Sequence, residues 1–173
     1  AVDTAYNFKQ TPQSIGPPLR VGMQWMLPAT LENMAWFGRA GETYSGRAFE
    51  PVGVYQSTVD DEWVDYSRPQ ENGNKTGVRW VAFTDDSGNG LLISAQGAPL
   101  GIGARHYSKQ TMRDSKYSFQ MERSEDLFVN IDAAQSGLGG INSWGQTPME
   151  QYRLRKQTYS YSHRMLPLAG DVA

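Results

Sequence analysis

The run Val78-Arg79-Trp80-Val81-Ala82-Phe83 meets Asp85-Asp86-Ser87-Gly88-Asn89-Gly90, and Leu91-Leu92-Ile93-Ser94-Ala95 follows at once. Two β-prone runs separated by Asp, Asn and Gly form a β-hairpin signal, because those turn residues tolerate the positive φ that a tight reversal needs. This hairpin constrains the rest of the chain, since a two-stranded ribbon is not stable alone and needs further strands with a shared apolar face. The sequence supplies them. Val2, Thr4, Tyr6 and Phe8 alternate with Asp3, Ala5 and Asn7, and Val21, Met23 and Trp25 alternate with Arg20, Gly22 and Gln24 within Leu19–Leu27. A period of two places one set on each face of a strand.

Further strands are expected at Met34–Phe37, Val52–Val59, Glu62–Tyr66, Phe128–Asp132, Tyr152–Leu154 and Tyr159–Met165, the last with Tyr159, Tyr161 and His163 on one face. Pro12, Gly16, Pro17 and Pro18 mark a loop, and Ser108 is placed to cap one helical turn through Met112. About nine to eleven strands with short connections predict an all-β sandwich or barrel. The length of 173 residues fits a single domain over 1–173.

Composition removes several function classes. Sixteen basic and eighteen acidic residues leave a net charge of −2, and neither sign forms a block. Nucleic-acid and membrane-surface partners both need clustered Lys and Arg, so neither is expected. No apolar run is long enough for a membrane-spanning helix. The absence of cysteine rules out disulfides and thiol chemistry. His106 and His163 are the only imidazoles, and their separation without nearby ligand spacing argues against zinc, unless folding brings ligands together. The start Ala1-Val2-Asp3-Thr4-Ala5-Tyr6 has no basic, apolar leader and no Met. A processed product or a segment of a longer protein is the expectation.

The run Gln135-Ser136-Gly137-Leu138-Gly139-Gly140-Ile141-Asn142-Ser143-Trp144-Gly145 is the densest glycine stretch. Its glycines suit neither helix nor strand, and mark unusual backbone or a close approach. Trp144 then has two readings: a plug at the end of a sandwich, or a flat platform on which a sugar ring stacks while its hydroxyls reach the indole N–H and neighbouring polar groups.

The chain offers little catalytic chemistry of its own. Asp60-Asp61, Asp85-Asp86 and Glu125-Asp126 fall near predicted turns and read as turn formers, not as the pair of carboxyls flanking a glycosidic bond. Glu71 lies in the polar loop Arg68-Pro69-Gln70-Glu71-Asn72-Gly73-Asn74, where Asn72-Gly73 is a turn signal and the residue is read as structural. Ser143 lacks a nucleophile elbow, and Gly137–Gly140 lacks the Lys and Ser/Thr of a phosphate loop. His106 reads as a strand residue bonded to backbone, and His163 as solvent-facing. The sum is a binding or supporting domain.

Several segments in order resemble the C-terminal domain of the large bacterial β-galactosidases of the second glycoside hydrolase family. They are Asn33-Met34-Ala35-Trp36-Phe37-Gly38-Arg39, Glu42-Thr43-Tyr44, Arg68–Asn74 with Val78-Arg79-Trp80, and Asn130-Ile131-Asp132 through Gly137–Gly140, Ser143-Trp144 and Tyr152-Arg153-Leu154. The resemblance implies an antiparallel β-sandwich of the galactose-mutarotase-like supersandwich type, incomplete on its N-terminal side. It implies that the catalytic glutamates lie in a barrel domain upstream, so that this segment alone is inactive, and that the family's metal ions bind in other domains, leaving no cofactor here. Trp144 would be the platform for the aglycone sugar of a β-galactoside, with Asn142 and Ser143 beside it as substrate-binding residues. The Pro69-Gln70-Glu71-Asn72-Gly73 run is assigned to scaffolding.

The chain departs from that pattern in places. Ile141 and Asn142 stand where the familiar enzyme is acidic, and the Gly38–Arg47 loop is short, with Gly46 where Asp is common. A substrate preference different from lactose follows. An interrupted sandwich would expose an apolar face, so pairing with another copy is expected alongside the upstream domains as partners. Bacterial cytoplasm and periplasm are both compatible with this reading. Two further readings come from other function classes: an independent carbohydrate-binding module without catalysis, and a mutarotase-like enzyme in which a histidine would meet Glu71 or Glu150 in a cleft.

Overall fold

The computed structural model describes residues 1–10, 16–139 and 145–170. Its strands are β1 (Val2–Lys9), β2 (Arg20–Pro28), β3 (Asn33–Arg39), β4 (Val52–Thr58), β5 (Lys75–Val78), β6 (Trp80–Thr84), β7 (Gly90–Ala95), β8 (Leu100–Arg105), β9 (Asp126–Gln135) and β10 (Thr158–Leu168). They form a six-stranded sheet in the order β1-β10-β7-β6-β3-β4 and a four-stranded sheet in the order β2-β9-β8-β5. Neighbours pair antiparallel throughout. The chain is an all-β sandwich.

The core follows directly from the period of two. Met34 and Trp36 of β3, Val81 and Phe83 of β6, Ile93 of β7 and Met165 of β10 point inward from the larger sheet. They meet Val78, Leu100, Ile102, Leu127, Val129 and Ile131 of the smaller one. Burying a side chain of this size contributes about 1.5–3 kcal/mol, so these residues dominate the favourable side of folding. Trp36 also donates its indole N–H to Arg39 O at 2.9 Å, which satisfies its polar edge.

The expected hairpin is β6–β7, with Thr84 opposite Gly90. Asp85 organises its turn, accepting from Ser87 N and Asn89 N at 2.9 Å each through Oδ1. The run from Val78 to Phe83 is not one strand, however. Val78 pairs with Leu100 in the smaller sheet, whereas Trp80 pairs with Phe37 and Ser94 in the larger. Arg79 is the single residue at the crossing, its N–H bonded to Phe37 O and its carbonyl to Ala95 N, both at 2.8 Å.

Other expectations need correction. Glu62–Tyr66 is not a strand: Glu62 N and Trp63 N bond back to Thr58 O and Asp60 O, and the Asn72 amide takes both backbone groups of Val64, at 2.9 and 2.8 Å. A side chain thus replaces the ladder. Tyr152–Leu154 is not a strand either, because Glu150–Tyr152 is a 3₁₀ turn. Strand β8 escaped the period reading because Gly101 and Gly103 dilute its β-propensity; Asn74, Asn130 and Asp132 occupy the space over those glycines. The Ser108 cap is present, with Thr111 N donating to its Oγ at 2.9 Å, and helix α1 (Lys109–Asp114) runs two residues past Met112.

Candidate functional site

Strand β9 carries Leu127, Val129 and Ile131 into the core, while Asn130 and Asp132 point to the outer face and are nevertheless buried. What covers them is the Arg68–Asn74 segment and the start of β2. Glu71 Oε1 accepts from Asn130 Nδ2 at 2.7 Å and pairs with Arg20. Arg105 NH1 lies 3.4 Å from the same oxygen, an ion pair without hydrogen-bond geometry. Gln24 Nε2 donates to Asn130 Oδ1 at 2.9 Å. The carboxyl of Asp132 is paired with Arg20 Nε at 3.0 Å. Burial pushes that carboxyl up to about 6, against the pull of Arg20 and of the Gln135 hydrogen bond. Glu71 therefore holds a polar layer together, as its reading as structural required.

The next residues of the same segment tie this layer to the loop after β3. Asn74 Nδ2 donates to Thr43 O at 2.9 Å and Gly73 N to Glu42 Oε1 at 3.2 Å. Thr43 N donates in turn to Asn74 O at 2.7 Å. Gly73 adopts φ +71°, a conformation glycine reaches without a Cβ penalty. Lys75 follows with its side chain fully buried, its ammonium 2.6 Å from Glu62 Oε2 and 3.0 Å from Gly73 O, over the face of Trp36. Tyr44 OH donates to Glu42 Oε1 at 2.6 Å, and burial together with that carboxylate pushes the phenol upward. These contacts give the Pro-Gln-Glu-Asn-Gly-Asn run a scaffolding role.

The scaffold reaches the glycine run through Gln135, whose Nε2 donates to Asn74 Oδ1 and to Asp132 Oδ2, each at 2.8 Å. Beyond it, Ser136 N bonds to Leu19 O and Gly137 N to Tyr152 O. A Cβ on Gly137 would stand 2.7 Å from Tyr152 Cβ and 3.2 Å from Ser45 O, so this glycine is required by close approach. Gly137→Ala is expected to lower stability by about 1–3 kcal/mol, the usual cost of overpacking, which urea denaturation will measure. Between the 45–47 turn and the 146–153 segment lies a cavity of about 410 Å³, lined by Arg47, Leu138, Gly139, Met149 and Tyr152 among others. Arg153 braces its far wall, donating from Nε to Pro148 O at 2.7 Å. Trp144, Asn142 and Ser143, the residues expected to bind sugar, lie outside the described residues. The described stretches on either side, Gly139 and Gln146, both line this cavity.

The two histidines are placed differently from expectation. His163 does not face solvent: it is fully buried, stacked on Tyr6 and tilted against Tyr161, and burial holds its pKa below the usual imidazole value. His106 is not a ladder residue bonded to backbone. It follows β8 at a bend and sits 2.5 Å from Glu32 Oε2 through Nε2. Neither histidine meets Glu71 or Glu150: Glu71 serves Arg20 and Asn130, and Glu150 pairs with Arg153 and Arg155. That removes the geometry a mutarotase-like reading needs. No spacing rule could have found the His106–Glu32 pair, because 74 residues separate its members.

Comparison with known proteins accords with this arrangement. A family model described as Beta galactosidase small chain matches residues 1–165. The Beta-galactosidase BgaC of Bifidobacterium adolescentis is 34% identical over 136 residues, covering 77% of this chain and 13% of that protein. The Beta-galactosidase of Priestia megaterium is 30% identical over 152 residues, 86% of this chain and 14% of its own length. That of Vibrio cholerae is 33% identical over 153 residues, 84% of this chain and 14% of the relative. The chain thus spans about one seventh of the curated relatives it matches. By the extent of the family match, together with these relatives, the chain belongs to the Beta galactosidase small chain family.

Proposed function

We infer that the chain is the C-terminal sandwich of a β-galactosidase, hydrolysing terminal β-D-galactosides together with a catalytic barrel carried by another part of the polypeptide. In this reading the sandwich supports the barrel, and Trp144, flanked by Asn142 and Ser143, stacks on the aglycone sugar. The observation that carries it is the family match over residues 1–165 in a chain that covers only about one seventh of its relatives. The anchored root of the loop supports the same reading: Gln135 and Gly137 fix where the loop leaves β9, and a platform needs such a base to hold a ring in register. The outer face of the larger sheet, where Val54, Phe37 and Trp80 share one row and Leu92 and Leu166 the next, exposes Val54 and Leu166. This apolar face is assigned to contact with the rest of the polypeptide, and a second copy of the chain is the competing occupant.

A stacked ring holds the leaving or acceptor sugar without making or breaking bonds. Trp144→Ala in the whole enzyme is therefore expected to weaken inhibition by glucose as acceptor roughly tenfold, about 1.4 kcal/mol. Hydrolysis of an activated galactoside with a poor stacking group should change little. Acceptor inhibition by glucose identical in wild type and variant would refute the platform.

A further inference from the structure

We propose that Glu32, Asp60 and His106 form a site for one divalent cation of the zinc or manganese class, with the Arg123 guanidinium as its built-in competitor. The three residues come from separate connections: Glu32 from the turn joining β2 to β3, Asp60 from the turn after β4, and His106 from the bend after β8. One ligand atom from each lies within 4.8 Å of the other two, and His106 Nε2 stands 2.5 Å from Glu32 Oε2 and 3.8 Å from Asp60 Oδ1. One imidazole nitrogen with two carboxylate oxygens is a donor set suited to borderline divalent cations.

The set is pre-organised. Glu32 Oε1 accepts from Asp60 N at 2.8 Å, which turns Oε2 toward His106. Val59 N donates to Glu32 O and Ser124 N to His106 O, both at 3.0 Å, so the backbone of each ligand turn is fixed. His106 is only 1% exposed, and a buried imidazole aimed at two carboxylates is costly unless its lone pair or proton is used.

The second observation is a conflict at Nε2. That nitrogen lies 2.5 Å from Glu32 Oε2 and 2.8 Å from Arg123 NH2. A guanidinium only donates and an ionised carboxylate only accepts. If Nε2 carries a proton it satisfies Glu32 and opposes Arg123; if it carries a lone pair it satisfies Arg123 and opposes Glu32. Protonating Glu32 instead would aim two donors at one lone pair. The imidazolium form is no remedy, because its Nε2–H still faces the Arg123 guanidinium at 2.8 Å. A cation on the Nε2 lone pair, shared with the two carboxylates, resolves all three contacts once Arg123 withdraws. Arg123 is free to do so, being 44% exposed on the segment before β9, where it now pairs with Asp60. Two carboxylates against one guanidinium also leave negative charge in excess among these side chains, which a dication in place of Arg123 would balance.

The site is separate from the glycine run after β9. It lies at the start of β9 and the glycine run at its end, ten residues away, about 30 Å at the rise of a strand. The cation would brace the connections at one end of the sandwich.

The test is titration of the EDTA-treated protein with Zn²⁺ alone and with Mn²⁺ alone, reading bound metal by elemental analysis after dialysis and the melting temperature in parallel. Wild type is expected to hold one more equivalent than Glu32→Gln or His106→Gln, and sites elsewhere in the protein cancel in that difference. Arg123→Ala is expected to bind about tenfold more tightly, because its competitor is gone. Identical metal content and titration curves in wild type, Glu32→Gln and Arg123→Ala would overturn the proposal. So would an Arg123→Ala protein that melts lower and does not respond to either metal, since the guanidinium would then be the cluster's only cation.

Discussion

Glu62→Ala is expected to lower the unfolding free energy by about 3 kcal/mol, the low end of what breaking a buried ion pair costs. The reason is Lys75. Its side chain is 0% exposed, and the carboxylate of Glu62 at 2.6 Å is its only charged partner among the described contacts. Removing that carboxylate leaves an ammonium in the interior with one carbonyl, Gly73 O, and the face of Trp36 to stabilise it. Glu62 is itself 23% exposed, so water entering the gap keeps the loss at the low end. For a domain of this size the melting temperature should fall by roughly 6–12 °C. Lys75→Met in the same background removes the stranded charge and fills similar volume, and most of the loss should return. A Glu62→Ala protein with wild-type urea denaturation would show that the pair does not support the buried charge.

The second large effect is a pH dependence centred on Asp132. Burial raises its folded pKa to about 6 from 3.8. Between those values the folded carboxyl holds a proton that the unfolded one has released, so stability declines as pH rises through the window. The contribution is fully present below pH 4 and lost above pH 6, about 3 kcal/mol in all. Asp132→Asn should match wild type near pH 4 and exceed it near pH 7 by up to that amount. His163 acts with the opposite sign: its folded pKa lies below 6.5 through burial, so its contribution is complete above pH 6.5 and falls on acidification. Urea denaturation from pH 4 to 7.5 is best done in a His163→Phe background, which isolates the carboxyl. An Asp132→Asn protein less stable than its parent at pH 7, with an unchanged slope, would mean that the charge on Asp132 stabilises Arg20 more than burial penalises it.

Strands with a clean period of two were legible in the sequence, and so was the Asp85–Gly90 turn, because both depend on local geometry. Misreadings arose where a side chain did the work of a ladder or a neighbour did the work of a Cβ. The Asn72 amide bonding both backbone groups of Val64 made 62–66 a loop despite its aromatic and β-branched content. Gly101 and Gly103 concealed β8, since the groups that fill the space above them come from β9 and from Asn74. The candidate site was legible as a set of motifs, and Glu71 as a structural residue. How those motifs join was not. Gln135 bridges Asn74 and Asp132 across 61 and 3 residues, a contact no spacing rule encodes.

What the sequence determined by itself was therefore local: an all-β chain, its central hairpin, its capped helical turn, and a glycine run that must approach something closely. Tertiary structure alone decided that the chain crosses between sheets at Arg79, that His163 is buried, and that His106, Glu32, Asp60 and Arg123 converge. The physical reason is the same in each case. Backbone preference and side-chain period act over a few residues, whereas burial, ion pairing and proton placement depend on which distant segments a sandwich brings to the same end of its sheets.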